Sequence, residues 1–392
     1  MPFVLENSTI SASFTSMTQA VMDYPLEEVK VDGHTFQALL GETIILDGDA
    51  NGDVLQGTFK DGEATGTFEL HRVPAEGLPY DTQTVTFRNG DITLAGTACL
   101  PRTAGKHPGV VLLHGSGAQS RWGTNRYIAD LFARSGIATL VYDKRGSGES
   151  TGSWESSTYD DLARDAMVGI DVLRSFSSID PRKIGLHGHS EGGIVAPVAA
   201  SLAPQKIAFI VAEDTVAGPV YQQDLYRTRL ALQSSGFSSQ EIATANRVYA
   251  LFIDVARGAR PRADWTQAVL ENQKQAWFQW LGLPGDDSWI WKRYPKIGNI
   301  DTLRYWQRVQ VPVLLIYGER DHLVPVDESI RRIQAALPHP NSNNSAFIVP
   351  NAQHNLTIQP QPKLPFFWWK TAPGLYALIA DWVLTTNCQV KL

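Results

Sequence analysis

From the N-terminus to about residue 70, apolar and polar side chains alternate with a period of two, in short runs broken by Gly, Asp and Asn. The runs are Thr9 to Phe14, Glu28 to Val31, Phe36 to Leu40, Thr43 to Leu46, Val54 to Phe59 and Thr65 to Leu70. Successive side chains of a strand point to opposite faces, so this alternation predicts strands with one face buried. Asp32-Gly33, Asp49-Ala50-Asn51-Gly52 and Asp61-Gly62 supply turns between them. Residues 1–80 read as an all-β domain of hairpins. It carries no acid–base or metal cluster, so its expected role is a packing platform.

Pro74 to Pro79 reads as a linker. Thr82 to Phe87 and Ile92 to Leu100 then alternate around Arg88-Asn89-Gly90-Asp91, a hairpin leading into the main domain. Beyond it the pattern changes to apolar runs alternating with helical periodicity. The runs Val110 to Leu113, Ala138 to Tyr142, Ile184 to Leu186, Ala208 to Val211, Val313 to Tyr317 and Ala346 to Val349 predict strands buried on both faces. Helices fit between and after them at Tyr127 to Arg134, Tyr159 to Ser175, Ile194 to Leu202, Glu328 to Ala336 and Leu375 to Val383. The expected core is a mostly parallel, twisted α/β sheet with helices on both faces, built from residues 81–213 and 307–392.

Residues 214–306 interrupt that rhythm. They read as helices at Tyr221 to Leu232, at Gln240 to Val255 behind the capping box Ser238-x-x-Glu241, and at Trp265 to Trp280. A helical insertion between sheet strands has to sit above the sheet edge as a cap. It holds Trp265, Trp277, Trp280, Trp289, Trp291 and Trp306. Most such rings pack a cap core, but six indoles in one insertion also suggest an aromatic wall over a cleft.

Composition narrows the classes. The 392 residues are 43% hydrophobic and 19% charged, which fits a folded chain with a large core. A formal net charge of −6 offers no basic footprint for nucleic acid. No apolar run reaches the length of a membrane span. Met1-Pro2-Phe3-Val4-Leu5-Glu6-Asn7 lacks the basic start and apolar core of a signal peptide, so the chain as written is expected in the cytoplasm, or outside it if a leader was removed. The two cysteines, Cys99 and Cys388, are too few for a disulfide framework.

The chemistry centres on Gly188-His189-Ser190-Glu191-Gly192, which follows an apolar run and precedes a helix. A serine on so sharp a strand-to-helix turn is a candidate nucleophile, its hydroxyl exposed and the helix N-terminus aimed at developing negative charge. A serine needs a base, and the base needs an acid to orient it. After the strand Val313 to Tyr317 comes Gly318-Glu319-Arg320-Asp321, and after Ala346 to Val349 comes Pro350-Asn351-Ala352-Gln353-His354. Asp321 and His354 thus emerge from the carboxyl ends of strands, the edge where parallel sheets bind ligands. Glu319, Asp327 and Glu328 compete with Asp321, but Glu319 is too close to the strand end and Asp327 suits a helix N-cap. His322 and His339 compete with His354, which is preferred on chain order, in the loop after the next strand.

The strand Val110 to Leu113 runs into His114-Gly115-Ser116-Gly117. Its loop and the elbow would offer the backbone N–H groups of Ser116 and Glu191 to an oxyanion, with the Glu191 carboxylate given no role. His114, His187 and His189 are expected to fix loops by hydrogen bonding. Asp143-Lys144-Arg145-Gly146-Ser147-Gly148 lacks the ending of a phosphate-binding loop and reads as a tight turn. No pair of His or Cys stands at metal-ligand spacing.

Together His114-Gly115-Ser116-Gly117, Asp143-Lys144-Arg145-Gly146, Gly188 to Gly193, Gly318-x-x-Asp321 and His354 resemble the α/β-hydrolase superfamily over residues 80–392. Within it, Gly-His-Ser-Glu-Gly-Gly behind a β-rich front lobe is similar to bacterial serine carboxylesterases with an N-terminal β-domain. That resemblance implies hydrolysis of small carboxylic esters, often with short acyl chains, by Ser190, His354 and Asp321, with no metal or organic cofactor. The same triad serves aminopeptidases and acyl thioesterases, and a non-catalytic binder could use the same scaffold. A homo-oligomer is left open.

Overall fold

The computed structural model describes residues 1–6, 9–41, 43–74, 76–338, 344–359 and 369–388. Its first seven strands, β1 (Phe3–Glu6), β2 (Thr9–Ser16), β3 (Val21–Asp32), β4 (Thr35–Leu40), β5 (Ile44–Asn51), β6 (Val54–Asp61) and β7 (Ala64–His71), form one antiparallel sheet in sequential order. Only β1 was not foreseen by the alternation. Its four residues include consecutive apolar Phe3, Val4 and Leu5, which carry no period of two. At Asp61-Gly62 the β6–β7 hairpin turns with φ +61° at glycine, a conformation that a Cβ would strain. Leu26, Phe36, Ala38 and Leu46 are buried in this sheet's own small core. The sheet meets the rest of the protein where Asp23 pairs with the buried Arg126 at 3.1 Å and Met22 bridges to Gly123.

The main sheet has eight strands: β8 (Tyr80–Asn89), β9 (Ile92–Pro101), β10 (His107–Leu113), β11 (Ala138–Tyr142), β12 (Ile179–His189), β13 (Ile210–Glu213), β14 (Val313–Gly318) and β15 (Ser345–Val349). Their order is β15-β14-β13-β12-β10-β11-β9-β8. The six from β10 to β15 run parallel, and the β8–β9 hairpin joins antiparallel at one edge. Val110, Val111 and Leu112 have no exposed surface, as unbroken apolar runs require of strands covered on both faces.

Helices cover both faces. On one side α1 (Thr124–Arg134) and the C-terminal helix (Leu375–Cys388) bury Ile128, Phe132, Leu375 and Ile379 against Val110 and Leu112. On the other, α2 (Tyr159–Arg174) and α3 (Glu191–Leu202) pack Ile170, Leu173, Ile194 and Val198 against Val111 and Leu186. A capping box between Thr158 and Asp161 starts α2.

Between β13 and β14 the chain leaves the sheet for a helical insertion: α4 (Val220–Ser234), α5 (Ser239–Ala256), α6 (Arg262–Asn272), α7 (Ile290–Ile297) and the short α8 (Leu303–Trp306). Its two ends close on each other. Val220 N donates to Ile300 O at 3.0 Å, Thr302 N to Gly218 O at 3.0 Å, and the Thr302 hydroxyl to Val216 O at 3.0 Å. Ser238 and Glu241 form the expected capping box of α5. The helix expected over Trp265 to Trp280 stops at Asn272, whose side chain folds back onto the Ala268 carbonyl at 2.9 Å. Gln273, Lys274 and Gln275 beyond it offer no apolar face to extend the helix.

Candidate active site

The elbow is built by close packing. An added Cβ on Gly188 would lie 2.3 Å from the backbone of Gly192, so glycine is required there. Ser190 takes φ 53° and ψ −112°, a strained conformation for a residue with a side chain. Its N–H is fixed to Glu213 O of the neighbouring strand at 2.8 Å. The strain therefore sits between two anchored elements.

Asp321 and His354 lie on the loops after β14 and β15 at the same sheet edge, and backbone bonds lace those loops together. Glu319 N donates to Val349 O at 3.0 Å and Arg320 N to Ala352 O at 2.8 Å. Asp321 Oδ1 accepts the amides of Leu323 and Val324 at 2.7 and 3.0 Å, which leaves Oδ2 to face His354. His354 Nδ1 is 2.8 Å from Asp321 Oδ2, and its Nε2 is 3.1 Å from the Ser190 hydroxyl. His189 Nε2 reaches the His354 carbonyl at 2.9 Å and ties the elbow to the histidine loop. The structure thus brings Ser190, His354 and Asp321 into one hydrogen-bonded line. A hydroxyl so placed can lose its proton to the imidazole as it attacks a carbonyl, while the carboxylate holds the ring's tautomer.

The competing residues fall elsewhere. Glu319 accepts the Asn351 amide at 2.7 Å, and Glu328 pairs with Arg332 at 2.7 Å. Asp327 sits in the first turn of α9 (Val326–Ala336), whose N-cap is Pro325, so the expected capping by Asp327 is corrected. His339 lies outside the described residues. His187 pairs with Glu213 at 2.9 Å beneath the elbow. His114 packs edge-on to Tyr142, and burial with Lys144 nearby pushes its imidazole down to about 3.

Ser116 and Glu191, whose amides are the candidate oxyanion donors, line a cavity of about 100 Å³ together with Ser190. Glu191 opens α3, so its N–H has no acceptor within the helix. On the other side, Lys144 Nζ donates to Gly115 O at 2.8 Å. That carbonyl and the Ser116 N–H belong to one peptide unit, so the lysine fixes which way the amide points.

The Glu191 side chain has a larger part than the sequence suggested. Oε1 is 2.6 Å from Lys144 Nζ and Oε2 is 2.7 Å from Arg293 Nη1, with all three side chains almost wholly buried. Burial alone would raise the Glu191 carboxyl, but the two cations outweigh it and hold it low. Lys144 is also lowered, by burial and by Arg293, against the pull of Glu191. Two cations share one anion, and the lysine bears the shortage. Lys144 entered the sequence reading only within the Asp143-Lys144-Arg145-Gly146 turn, with no role at Glu191, and Arg293 not at all. A signal existed for Arg293, which interrupts the stripe Ile290, Tyr294, Ile297 on α7 at a buried position.

Only Trp289 of the six expected indoles lines this cavity. Trp265, Trp277 and Trp306 are buried in the core and Trp280 is half exposed. A larger cavity of about 430 Å³, lined by Tyr226, Arg229, Asn246 and Arg332 among others, includes no member of the Ser190 line, so the smaller one is the candidate site. His189, Asp214 and His354 bring potential ligand atoms within 4.8 Å of one another. Both nitrogens of His354 are already engaged, so a metal there would have to displace Ser190 or Asp321. Cys99 is a buried free thiol. No helix among the described residues is long and apolar enough to cross a membrane.

Residues 110–364 match the model of the alpha/beta hydrolase family. The chain is 24% identical to the esterase EstD of Thermotoga maritima over 275 residues, 68% of this chain and 60% of that protein. It is likewise 24% identical over 283 residues to the quorum-quenching protein AidA of Acinetobacter baumannii, covering 69% of this chain and 87% of that one. Among solved structures, DcsB in complex with its substrate analogue superposes with a TM-score of 0.51 at 17% identity, covering 78% of this chain and 99% of that one. The last likeness concerns the fold alone.

Proposed function

The chain belongs to the alpha/beta hydrolase family, and from that premise we propose that it is a serine hydrolase of carboxylic esters with short to medium acyl chains. One observation carries this: the line from Ser190 Oγ to His354 Nε2 at 3.1 Å and from His354 Nδ1 to Asp321 Oδ2 at 2.8 Å. His354 takes the serine proton as Oγ attacks the ester carbonyl. The amides of Ser116 and Glu191 hold the tetrahedral oxyanion, and the alcohol leaves with the proton from His354. Water then attacks the acyl-enzyme with the same base. No metal or organic cofactor enters this mechanism. A cavity of about 100 Å³ beside Ser190 suits a short acyl group.

A second reading has one observation in its favour. Asp224, a carboxylate from the cap, lines the Ser190 cavity, where an aminopeptidase would hold a substrate amine. Asp224 already accepts the Tyr294 hydroxyl and stands 3.5 Å from Arg227, so the ester reading is preferred. A fluorophosphonate probe should label Ser190, with an adduct on another residue overturning the assignment. A panel of p-nitrophenyl esters and aminoacyl amides should give ester turnover that disappears in Ser190→Ala. Amide turnover dominating the panel would favour the peptidase.

A further inference from the structure

The charges around the Ser190 cavity do not balance. Arg293 lines it from the cap, has no exposed surface, and is held by its Nε donating to Ser157 O at 3.0 Å. Nη1 faces Glu191, while Nη2 is buried with no acceptor. The faces of Trp154 and Tyr159 approach the guanidinium at 5.9 and 5.8 Å, which softens its burial without supplying an acceptor. Lys144 and Arg293 share the Glu191 carboxylate, and Asp224, which also lines the cavity, is paired with Arg227 at 3.5 Å. With Asp224 taken up by Arg227, two cations, Lys144 and Arg293, face the single anion Glu191. With Asp224 protonated, toward which burial drives it, the excess of positive charge grows. An uncompensated buried cation is costly unless something completes it.

We propose that Arg293 anchors a carboxylate carried by the substrate, so that the preferred esters are monoesters of short dicarboxylic acids. The guanidinium's Nη2 is a charged donor free to meet a carboxylate oxygen, and the small cavity limits the acid to a few carbons. Binding the anion would neutralise the excess charge, and the ester carbonyl at the other end of the acid would meet Ser190. Neutral esters of the same shape would leave Nη2 unpaired and would be disfavoured for that reason. The inference rests on Ser190 being the site of ester cleavage.

The test compares monomethyl malonate, succinate and glutarate, each against the methyl ester in which isopropyl replaces the carboxylate, with acid release followed by pH-stat. At one length or more, kcat/KM should favour the monoester at least tenfold. In Arg293→Met that ratio should collapse toward one through KM, and Arg293→Lys, which keeps the charge and spares the fold, should fall between. Ratios near one at all three lengths, or ratios unmoved by either variant, overturn the inference. Binding of succinate or glutarate to Ser190→Ala protein, read by the fluorescence of the neighbouring tryptophans, supplies a measure without turnover. Saturable binding weakened on adding Arg293→Lys and lost on adding Arg293→Met supports the anion site even if no ester is cleaved, in which case the esterase reading fails alone. Turnover of p-nitrophenyl acetate with no dicarboxylate binding and flat ratios removes the anion site and leaves the esterase standing.

Discussion

Lys144 Nζ stands 2.6 Å from Glu191 Oε1 while donating to Gly115 O at 2.8 Å, so one buried cation touches both halves of the candidate oxyanion site. Through the Gly115–Ser116 peptide it aims one amide, and through the Glu191 side chain it steadies the residue that supplies the other. Arg293 extends the same cluster into the cap, where Lys296 also donates to Ser156 O at 2.7 Å next to the Arg293–Ser157 bond. Sheet, elbow and cap are thereby fastened around one buried carboxylate.

Lys144→Met should therefore act on kcat. Losing an oxyanion donor outright costs about 10²- to 10³-fold. Freeing the peptide that carries one should cost about 10- to 100-fold, with KM for p-nitrophenyl butyrate nearly unchanged. Steady-state kinetics decide this. A change confined to KM would mean that Lys144 contacts substrate instead of the Ser116 peptide.

Asp321→Asn tests the far end of the hydrogen-bonded line. An amide there keeps the shape but cannot hold the His354 tautomer that accepts a proton from Ser190. Turnover should drop about 10³- to 10⁴-fold, with the melting temperature little changed. The double variant with Ser190→Ala should be no slower than Ser190→Ala alone, because the residues act as a unit. Additive losses would show that Asp321 works independently of Ser190.

The Ser190 elbow and the loops bearing Asp321 and His354 were legible in the sequence because each follows an apolar strand and is written in local chemistry: small residues at a tight turn, an acid or a histidine just past a strand end. The sheet was legible for the same reason, in the unbroken runs of β10 and β11. The Lys144–Glu191–Arg293 cluster was not. Its members lie far apart in the chain, at 144, 191 and 293, and only folding gives them a shared environment. The Trp-rich insertion misled in the other direction. Composition located its six indoles but could not say which way each pointed, and the packing of the helices turned only Trp289 toward Ser190.

Trp289 should set the acyl-length limit. Its ring lines the cavity and meets Trp154 edge-on at 5.3 Å. Trp289→Ala would open space where the cavity now measures about 100 Å³. The optimum along a series of p-nitrophenyl esters from acetate to octanoate should shift to longer chains. An unmoved optimum would place the acyl group on another side of Ser190.

Asp214 gives a prediction in pH. It follows β13 between the strands that carry Ser190 and Asp321, wholly buried. Its Oδ1 accepts the Gly318 amide at 2.8 Å, and its Oδ2 has no donor. Burial and the neighbouring Asp321 hold its carboxyl well above the usual carboxylate range. In the unfolded chain it ionises near the ordinary value of about 4. From there up to its raised folded value, the native state binds the extra proton, so this group lowers stability as pH rises and then levels off. Asp214→Asn mimics the protonated form, with an amide to donate where the acid proton would, and removes that dependence. Its stability relative to wild type, from urea unfolding, should be smallest near pH 4 and grow through neutral pH. A difference that shrinks with rising pH would mean that Asp214 is ionised in the folded protein.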